Sequence, residues 1–250
     1  MKTVRTAQPL VIAHRGASRE APENTLTAFC LAWRQGADAI ETDLRLTADG
    51  EIVTFHDADG RRTLRDPRRI RDLTLPELKS LDAGIWKHSR WQDEKVPTLA
   101  EALASVPDGK RIVLELKEDL VAELSSDLPT SVRDRTTLIA FDAGIISKAK
   151  RRLPECRALW LFSDYSSVPS KERGTLLAQR IRELGVDGVD LRHGPRLNTA
   201  LLAPLRDEGR IIFTYTVNHC ASVRRCSRLE LDGLTTDRPA DARRWLGIST

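Results

Sequence analysis

The sequence predicts an α/β protein that forms a TIM (β/α)8 barrel, with a small insertion after the second strand and its hairpin. Three observations predict this fold. Short apolar segments rich in β-branched residues alternate with amphipathic segments along the 250 residues. Several amphipathic segments end in glycine just before the next strand, as helices followed by short loops do. One pair of strands is joined too tightly to be parallel, which leaves eight strands for the barrel.

Nine segments have the length and composition of strands. In chain order they read LVIAH, DAIETDL, EIVTFH, RIVLELK, TTLIAF, RALWLF, DGVDLR, RIIFTYTV and LDGLTT. A tight turn through Ala48, Asp49 and Gly50 joins the second to the third, so these two must be antiparallel. The third is therefore expected to be a return arm outside the barrel. A doubly wound open sheet is the alternative, but no glycine-rich dinucleotide loop follows the first strand.

The alternation breaks between residues 57 and 97. This segment is long and loop-rich, and it contains Trp86, His88 and Trp91. Long insertions in compact domains are usually functional or flexible. We expect residues 1–250 to form one domain, with 57–97 as a small subdomain on the face where the barrel strands end.

Composition excludes several classes of protein. No apolar run approaches the roughly 20 residues that span a membrane, and the apolar stretch near the N-terminus is too short for a signal peptide. We therefore expect a cytoplasmic protein without stable membrane insertion. The formal charge of +4 is spread along the chain, which favours a solvated surface over a nucleic-acid site. The four cysteines form no CxxC pair and are expected to be small buried thiols. The sequence is compatible with a homo-oligomer and does not set the oligomeric state.

Acidic residues lie at the predicted strand ends, where the active site of a barrel forms. Glu41 and Asp43 are two residues apart on one strand and therefore share a face, and Glu115 and Lys117 do the same on another. Three carboxylates in place of buried apolar side chains would repel each other strongly unless positive charge lay between them. An oxygen-ligated Mg²⁺ or Ca²⁺ would supply it, with part of the balance from Lys117.

Two histidines approach this cluster from different segments. His14 ends the first strand, and His56 ends the return arm. Two imidazoles beside a hard cation suit acid–base chemistry on a phosphoryl group, with Arg15 or Lys117 neutralising the phosphate. A Zn²⁺ site with histidine ligands is less favoured, because carboxylates outnumber the histidines. The other histidines are expected to be surface or capping residues: His88, His193 and His219.

The segment APENT is first interpreted as a helix start, with Pro22 and either Asn24 or Thr25 near the cap. It also forms the first loop after a barrel strand, so its amides could face a phosphate site. Asp57, next to His56, is expected to point away on the extended arm and to support the loop.

In these motifs the sequence resembles the glycerophosphodiester phosphodiesterase family of metal-dependent TIM barrels. The order HRG, PENT, ExD, TxDG and HD carries the resemblance, and it continues through LTLPELKSLDAG, VPTLAEAL, VLELK, TYTVN and DGLTTDRP. The resemblance implies His14 and His56 as the acid–base pair, Glu41, Asp43 and Glu115 as metal ligands, and Arg15 and Lys117 as phosphate contacts.

Three positions depart from the family pattern as the resemblance gives it. Leu64 replaces the last threonine of the family's RTT motif. Tyr215 replaces the tryptophan that precedes TVN, and Ala140 replaces the serine of the SFD motif. These positions are expected to read the alcohol moieties of the substrate, so Tyr215 is a candidate substrate contact.

The resemblance implies hydrolysis of a glycerophosphodiester to sn-glycerol 3-phosphate and an alcohol, with one Mg²⁺ or Ca²⁺. The sequence does not decide whether water or a substrate hydroxyl attacks the phosphorus. It also does not decide which of the two metals binds or which alcohol is preferred. A lysophospholipase D or phospholipase C-like activity on lipid is the alternative, and Trp86 and Trp91 are its only indication. A catalytically silent anion-binding protein is a second alternative.

Overall fold

The computed structural model of the protein describes residues 8–163 and 169–248. The N-terminal segment, which is expected not to be a signal peptide, includes residues 1–7, and these lie outside the described range. Within the described ranges, none of the helices is both long enough and apolar enough to cross a membrane.

Eight parallel strands close into a ring, which confirms the predicted TIM barrel. The strands are β1 (Leu10–His14), β2 (Ala39–Leu46), β3 (Ile52–Thr54), β4 (Arg111–Leu116), β5 (Thr136–Ala140), β6 (Arg157–Phe162), β7 (Gly188–Arg192), β8 (Ile211–Tyr215) and β9 (Gly233–Thr236). Parallel pairing runs from β1 through β2 and β4 to β9, and β9 pairs with β1 to close the ring. Strand β3 is antiparallel to β2 and pairs with no other strand of the described residues, so it is the return arm expected from the short turn.

The strand register already aligns the acidic residues. His14 on β1 lies opposite Glu41 on β2, and Asp43 on β2 lies opposite Glu115 on β4. Because neighbouring strands are about 4.8 Å apart, these side chains enter the barrel mouth side by side.

A helix follows each barrel strand. The helices are α1 (Leu26–Arg34), α2 (Leu75–Ser80), α3 (Leu99–Ala104), α4 (Val121–Asp127), α5 (Ala143–Arg152), α6 (Ser170–Leu184), α7 (Thr199–Asp207), α8 (Cys220–Arg228) and α9 (Pro239–Leu246). Helices α6 and α9 end at Gly185 and Gly247, both with positive φ, as the glycine pattern predicts. Helix α4 has no side-chain cap at Leu120.

Apolar side chains form three clusters. The largest lies between the strands and the surrounding helices, and a smaller one that includes Ile12, Val113 and Phe213 fills the barrel interior. A third cluster packs Val53 and Phe55 against Ile70, Leu73 and other buried side chains of residues 57–97. This segment thus has its own apolar core, beside the 3-10 turn at Ile70–Asp72 and helix α2.

The structure differs from two expectations, one about the cysteines and one about Leu64 and Ala140. Cys156 and Cys226 are buried, but Cys30 is exposed and Cys220 only half-buried, because α1 and α8 turn these positions away from the core. Leu64 and Ala140, which were expected to contact a ligand, are both buried in apolar clusters.

Candidate active site

Three buried carboxylates meet at the mouth of the barrel. One oxygen from each of Glu41, Asp43 and Glu115 lies within 4.8 Å of the others. Nζ of Lys117 lies 2.8 Å from Oε1 of Glu115 and 3.6 Å from Oδ1 of Asp43. The structure therefore brings together the four residues that period-two spacing places on two strand faces.

The cluster has more negative charge than its own cations balance. Burial, followed by the charge of Asp43, raises the pKa of Glu41, and the same two causes raise the pKa of Glu115. Burial would raise the pKa of Asp43 too, but the charges of Arg15 and Lys117 lower it instead. Two of the three carboxyl groups therefore tend to retain protons that a cation would displace.

A divalent cation fits this donor set. Oδ1 of Asp43 is buried and accepts no hydrogen bond from any described residue. Three carboxylates on rigid strands offer the oxygen ligands that Mg²⁺ and Ca²⁺ prefer. No other group of three or more acidic, histidine or cysteine side chains in residues 8–163 and 169–248 has metal-binding spacing.

The turn after β1 attaches Arg15 to the cluster. Arg15 and Gly16 both have positive φ, and a Cβ at Gly16 would lie only 2.6 Å from the backbone of Ala28. In this turn the N–H of Arg15 donates to Oε2 of Glu41 at 3.0 Å, and Nε of Arg15 lies 3.2 Å from Oδ2 of Asp43. Arg15 and Lys117 thus both contact the carboxylates.

Asn24 supports the cluster from the first loop. Its Nδ2 donates to Oδ2 of Asp43 at 2.8 Å, and its Oδ1 accepts from Oγ1 of Thr42 at 2.8 Å. The cap of α1 is Thr25, whose side chain accepts from the N–H of Ala28. Sequence reasoning assigned Asn24 only a possible cap, although its left-handed φ of 56° within PENT is a backbone state that asparagine tolerates.

A carboxylate holds each of the two histidines. Nδ1 of His14 lies 2.6 Å from Oδ1 of Asp237. Ser18 also donates to Oδ1, and Nδ2 of Asn218 donates to Oδ2. Burial would lower the pKa of His14, but the bond to Asp237 and the charge of Glu41 raise it above its ordinary value. Asp237 was not singled out from the sequence. It follows β9, at the strand-end position that the barrel pattern marks as functional.

His56 has a different electrostatic setting. Its Nδ1 lies 2.7 Å from Oδ1 of Asp57, so the expectation that Asp57 points away was wrong, because the chain turns at this position. Nε of Arg62 donates to Asp57 at 2.6 Å, and the rest of its guanidinium forms a two-bond pair with Glu23. Burial lowers the pKa of His56, and the charge of Asp43 and the bond to Asp57 offset this only in part.

A pocket opens beside the cluster. His14, Glu41 and Glu115 line it from β1, β2 and β4. Strands β5 to β8 and the residues after them contribute Ile139, Phe141, Leu161, Asp190 and Tyr215. Tyr215 makes an edge-to-face contact with Phe141 at 6.1 Å between ring centroids.

The remaining histidines lie outside this pocket. His88 accepts from the N–H of Arg90 and begins a 3-10 turn, the capping role expected of it. Trp86 donates to the carbonyl of Ala83 and has cations over its ring, and Arg90 covers the ring of Trp91. Neither tryptophan is among the exposed large apolar side chains of the described residues.

Comparison with known proteins agrees with the barrel fold. The model of the glycerophosphoryl diester phosphodiesterase family matches residues 14–241. A glycerophosphodiester phosphodiesterase of Caldanaerobacter subterraneus is 30% identical over 238 residues, which span 92% of this chain and 94% of the relative. An Oleispira antarctica phosphodiesterase, solved in complex with the product sn-glycerol-3-phosphate, is 29% identical with a TM-score of 0.85, covering 96% of this chain and 97% of its own. A Thermotoga maritima glycerophosphodiester phosphodiesterase is 28% identical, with a TM-score of 0.78 and coverage of 95% and 98%.

Proposed function

We propose a reaction for this chain from the premise that it belongs to the glycerophosphoryl diester phosphodiesterase family and is an enzyme of that class. The proposed reaction is the release of sn-glycerol 3-phosphate from glycerophosphodiesters. The observation that carries the proposal is the single cluster in which three buried carboxylates adjoin two carboxylate-bound histidines. The Oleispira antarctica neighbour, which holds sn-glycerol-3-phosphate as product, supports this substrate class.

Glu41, Asp43 and Glu115 would hold one Mg²⁺ or Ca²⁺, which would supply electrostatic stabilisation of the charge that develops on the phosphoryl oxygens. Asn24 orients Asp43 for that role through its 2.8 Å hydrogen bond. Arg15 and Lys117 contribute positive charge beside the carboxylates, where the phosphate of a substrate would be neutralised.

The histidines would exchange protons through Nε2, because a carboxylate occupies Nδ1 in both. In the described part of the chain, the other side chains that donate to the Asp237 carboxylate are the neutral Ser18 and Asn218. Asp237 therefore favours the imidazolium form of His14. Asp57 is already neutralised by Arg62, so His56 is held as the neutral imidazole. We assign His14 as the proton donor to the leaving alcohol and His56 as the base for the nucleophile.

The insertion at 57–97 would cover the substrate. It belongs, in our proposal, to one domain with the barrel, because Arg62 of the insertion pairs with Glu23 of the first barrel loop. Arg62 pairs with both Glu23 and Asp57, so the position of this segment and the alignment of His56 would be coupled.

The lipid alternative has less support than the glycerophosphodiester. An acyl chain needs an apolar groove, and Trp86 and Trp91 instead lie beneath cationic side chains. The anion-binding alternative does not account for two histidines whose ring nitrogens are fixed by carboxylates next to a metal-binding cluster. We also propose that the protein is cytoplasmic.

The test is release of sn-glycerol 3-phosphate from glycerophosphocholine by the wild type, His14→Ala and Glu41→Ala, each with and without EDTA. We expect EDTA and either substitution to abolish release, and His88→Ala, which changes a histidine outside the pocket, to leave it unchanged. Full activity in His14→Ala or Glu41→Ala would contradict the mechanism. Cleavage of lysolipid without cleavage of any deacylated diester would favour the lipid alternative.

A further inference from the structure

The pocket beside the acidic cluster has two chemically different walls. His14, Glu41 and Glu115 form the charged wall on β1, β2 and β4. Strand β7, which carries Asp190, is separated from β2 by three strands in either direction around the ring, so it lies across the barrel from Glu41. Its neighbours in register are Leu161 on β6 and Phe213 on β8, both apolar. Asp190 is therefore a carboxyl group within the wall that is otherwise mainly apolar.

Asp190 is buried without a partner for one of its oxygens. The residue is 1% exposed, and Oδ1 receives no hydrogen bond from residues 8–163 or 169–248. Inward positions of barrel strands usually carry Val, Ile or Leu. A carboxyl group there loses its hydration and gains no hydrogen bond at Oδ1 in return, which disfavours the folded state. A group that faces a ligand pocket under such conditions is a candidate for a ligand contact.

We propose that Asp190 recognises a hydroxyl group of the glycerol moiety and so selects polyol phosphodiesters over diesters that lack a hydroxyl. This inference rests on the proposed function and deepens it. With the phosphate at the cluster, a three-carbon polyol would extend across the pocket towards β7. There its carbon chain would contact Ile139 and Leu161, and a hydroxyl would donate to the unpartnered Oδ1 of Asp190.

A hydroxyl fits this position better than the ammonium group of an alcohol such as ethanolamine. Burial, followed by the charges of Glu41 and Glu115, raises the pKa of Asp190 well above its ordinary value, so the group tends to be uncharged. An uncharged carboxyl attracts a cation weakly, whereas it can both accept from and donate to a hydroxyl. In either protonation state the carboxyl accepts the hydrogen bond that the proposal requires.

The experiment uses the purified full chain with Mg²⁺ and three variants. Asp190→Leu introduces an apolar side chain with the same branching and a somewhat larger volume, and Asp190→Asn keeps an acceptor and a donor. Glu183→Gln, on the exposed face of α6 and outside the pocket, is the control. The substrates are glycerophosphocholine, glycerophosphoglycerol and bis(p-nitrophenyl) phosphate, which has no hydroxyl group. Calorimetry compares the binding of sn-glycerol 3-phosphate with that of inorganic phosphate.

For Asp190→Leu we expect kcat/KM to fall about 10- to 100-fold on both glycerol diesters, because a hydrogen bond that distinguishes the substrate is lost. Cleavage of bis(p-nitrophenyl) phosphate should change less than about twofold, and Asp190→Asn should retain most activity on all three. The melting temperature of Asp190→Leu should rise, because the variant no longer buries a carboxyl group that lacks a partner for Oδ1. Affinity for sn-glycerol 3-phosphate should fall about tenfold in Asp190→Leu, with phosphate affinity unchanged.

Equal losses on all three substrates together with a lower melting temperature would show a structural role and overturn the proposal. A loss in Asp190→Asn confined to glycerophosphocholine would show ammonium recognition and overturn it as well. If the wild type cleaves only bis(p-nitrophenyl) phosphate, the proposed function fails. The two binding measurements then decide the role of Asp190, and unchanged affinity for sn-glycerol 3-phosphate in Asp190→Leu would overturn it.

Discussion

Nδ1 of His14 lies 2.6 Å from Oδ1 of Asp237, although 223 positions separate the two residues in the chain. The contact exists because the first and last barrel strands pair and close the ring. His14 ends β1 and Asp237 directly follows β9, so ring closure delivers both to the same edge.

Asp237→Asn should lower kcat about 10- to 100-fold with little change in KM, because the amide no longer stabilises the imidazolium form or fixes the ring tautomer. Removal of the carboxylate should also lower the pKa of His14, which the bond to Asp237 raises. The pH profile of kcat measures this shift. Glu183→Gln, on the exposed face of α6, is the matched control, and an Asp237→Asn enzyme with wild-type kcat would contradict the role.

Stability of the metal-free protein should depend on pH through Glu41. Burial and the charge of Asp43 raise the pKa of Glu41 to about 8, against an unfolded value of 4.5. Between these values the folded state holds a proton that the unfolded state releases, so this contribution to stability falls as pH rises from 4.5 to about 8. We expect a lower melting temperature in EDTA at pH 8 than at pH 6 from this group.

Glu41→Gln supplies the comparison, since the amide does not titrate and should remove this part of the pH dependence. Addition of Mg²⁺ or Ca²⁺ to the wild type should release protons at pH 7, because the metal requires the ionised carboxylate. The stabilisation by metal should therefore grow with pH. An identical pH dependence in the wild type and Glu41→Gln would show that Glu41 is not the titrating group.

Asn24→Gly should weaken metal binding about 10- to 100-fold, because Asp43 loses the amide that orients it. Glycine accepts the left-handed φ at this position, so the substitution removes the side chain without strain in the turn. The metal concentration that gives half-maximal activity is the measurement. A decrease in the free energy of unfolding of about 1–3 kcal/mol should accompany it, since Thr42 also loses a buried partner. Wild-type metal dependence in this variant would leave Asn24 with a purely structural role.

Arg62→Ala should raise the pKa of His56. Arg62 neutralises Asp57, and without it the carboxylate interacts more strongly with the imidazolium form. The titration of the His56 ring followed by NMR measures the change, and the limb of the pH–rate profile that depends on the neutral imidazole should move to higher pH. Arg61→Ala is the control, because Arg61 is adjacent but solvent-exposed. A similar shift in both variants would indicate a general loss of positive charge instead.

The sequence alone determined the barrel, the return arm and the residues that form the acidic cluster. These depend on local rules: alternation of strands and helices, a turn too short for parallel strands, and period-two spacing that puts Glu41 with Asp43 and Glu115 with Lys117. Each rule acts within a few residues, so it can be read directly along the chain.

Only the tertiary structure decided which groups hold those residues in place. Asp237, Asn24, Arg62 and Glu23 become partners of the site through ring closure and loop packing between distant segments. Asp190 belongs to the same class, because an acidic residue in DGVDLR has no special meaning until β7 turns it into the barrel without a partner for Oδ1. The face of a strand on which a residue lies follows from the local sequence. The burial of its side chain and its hydrogen-bond partners depend on how the whole barrel closes.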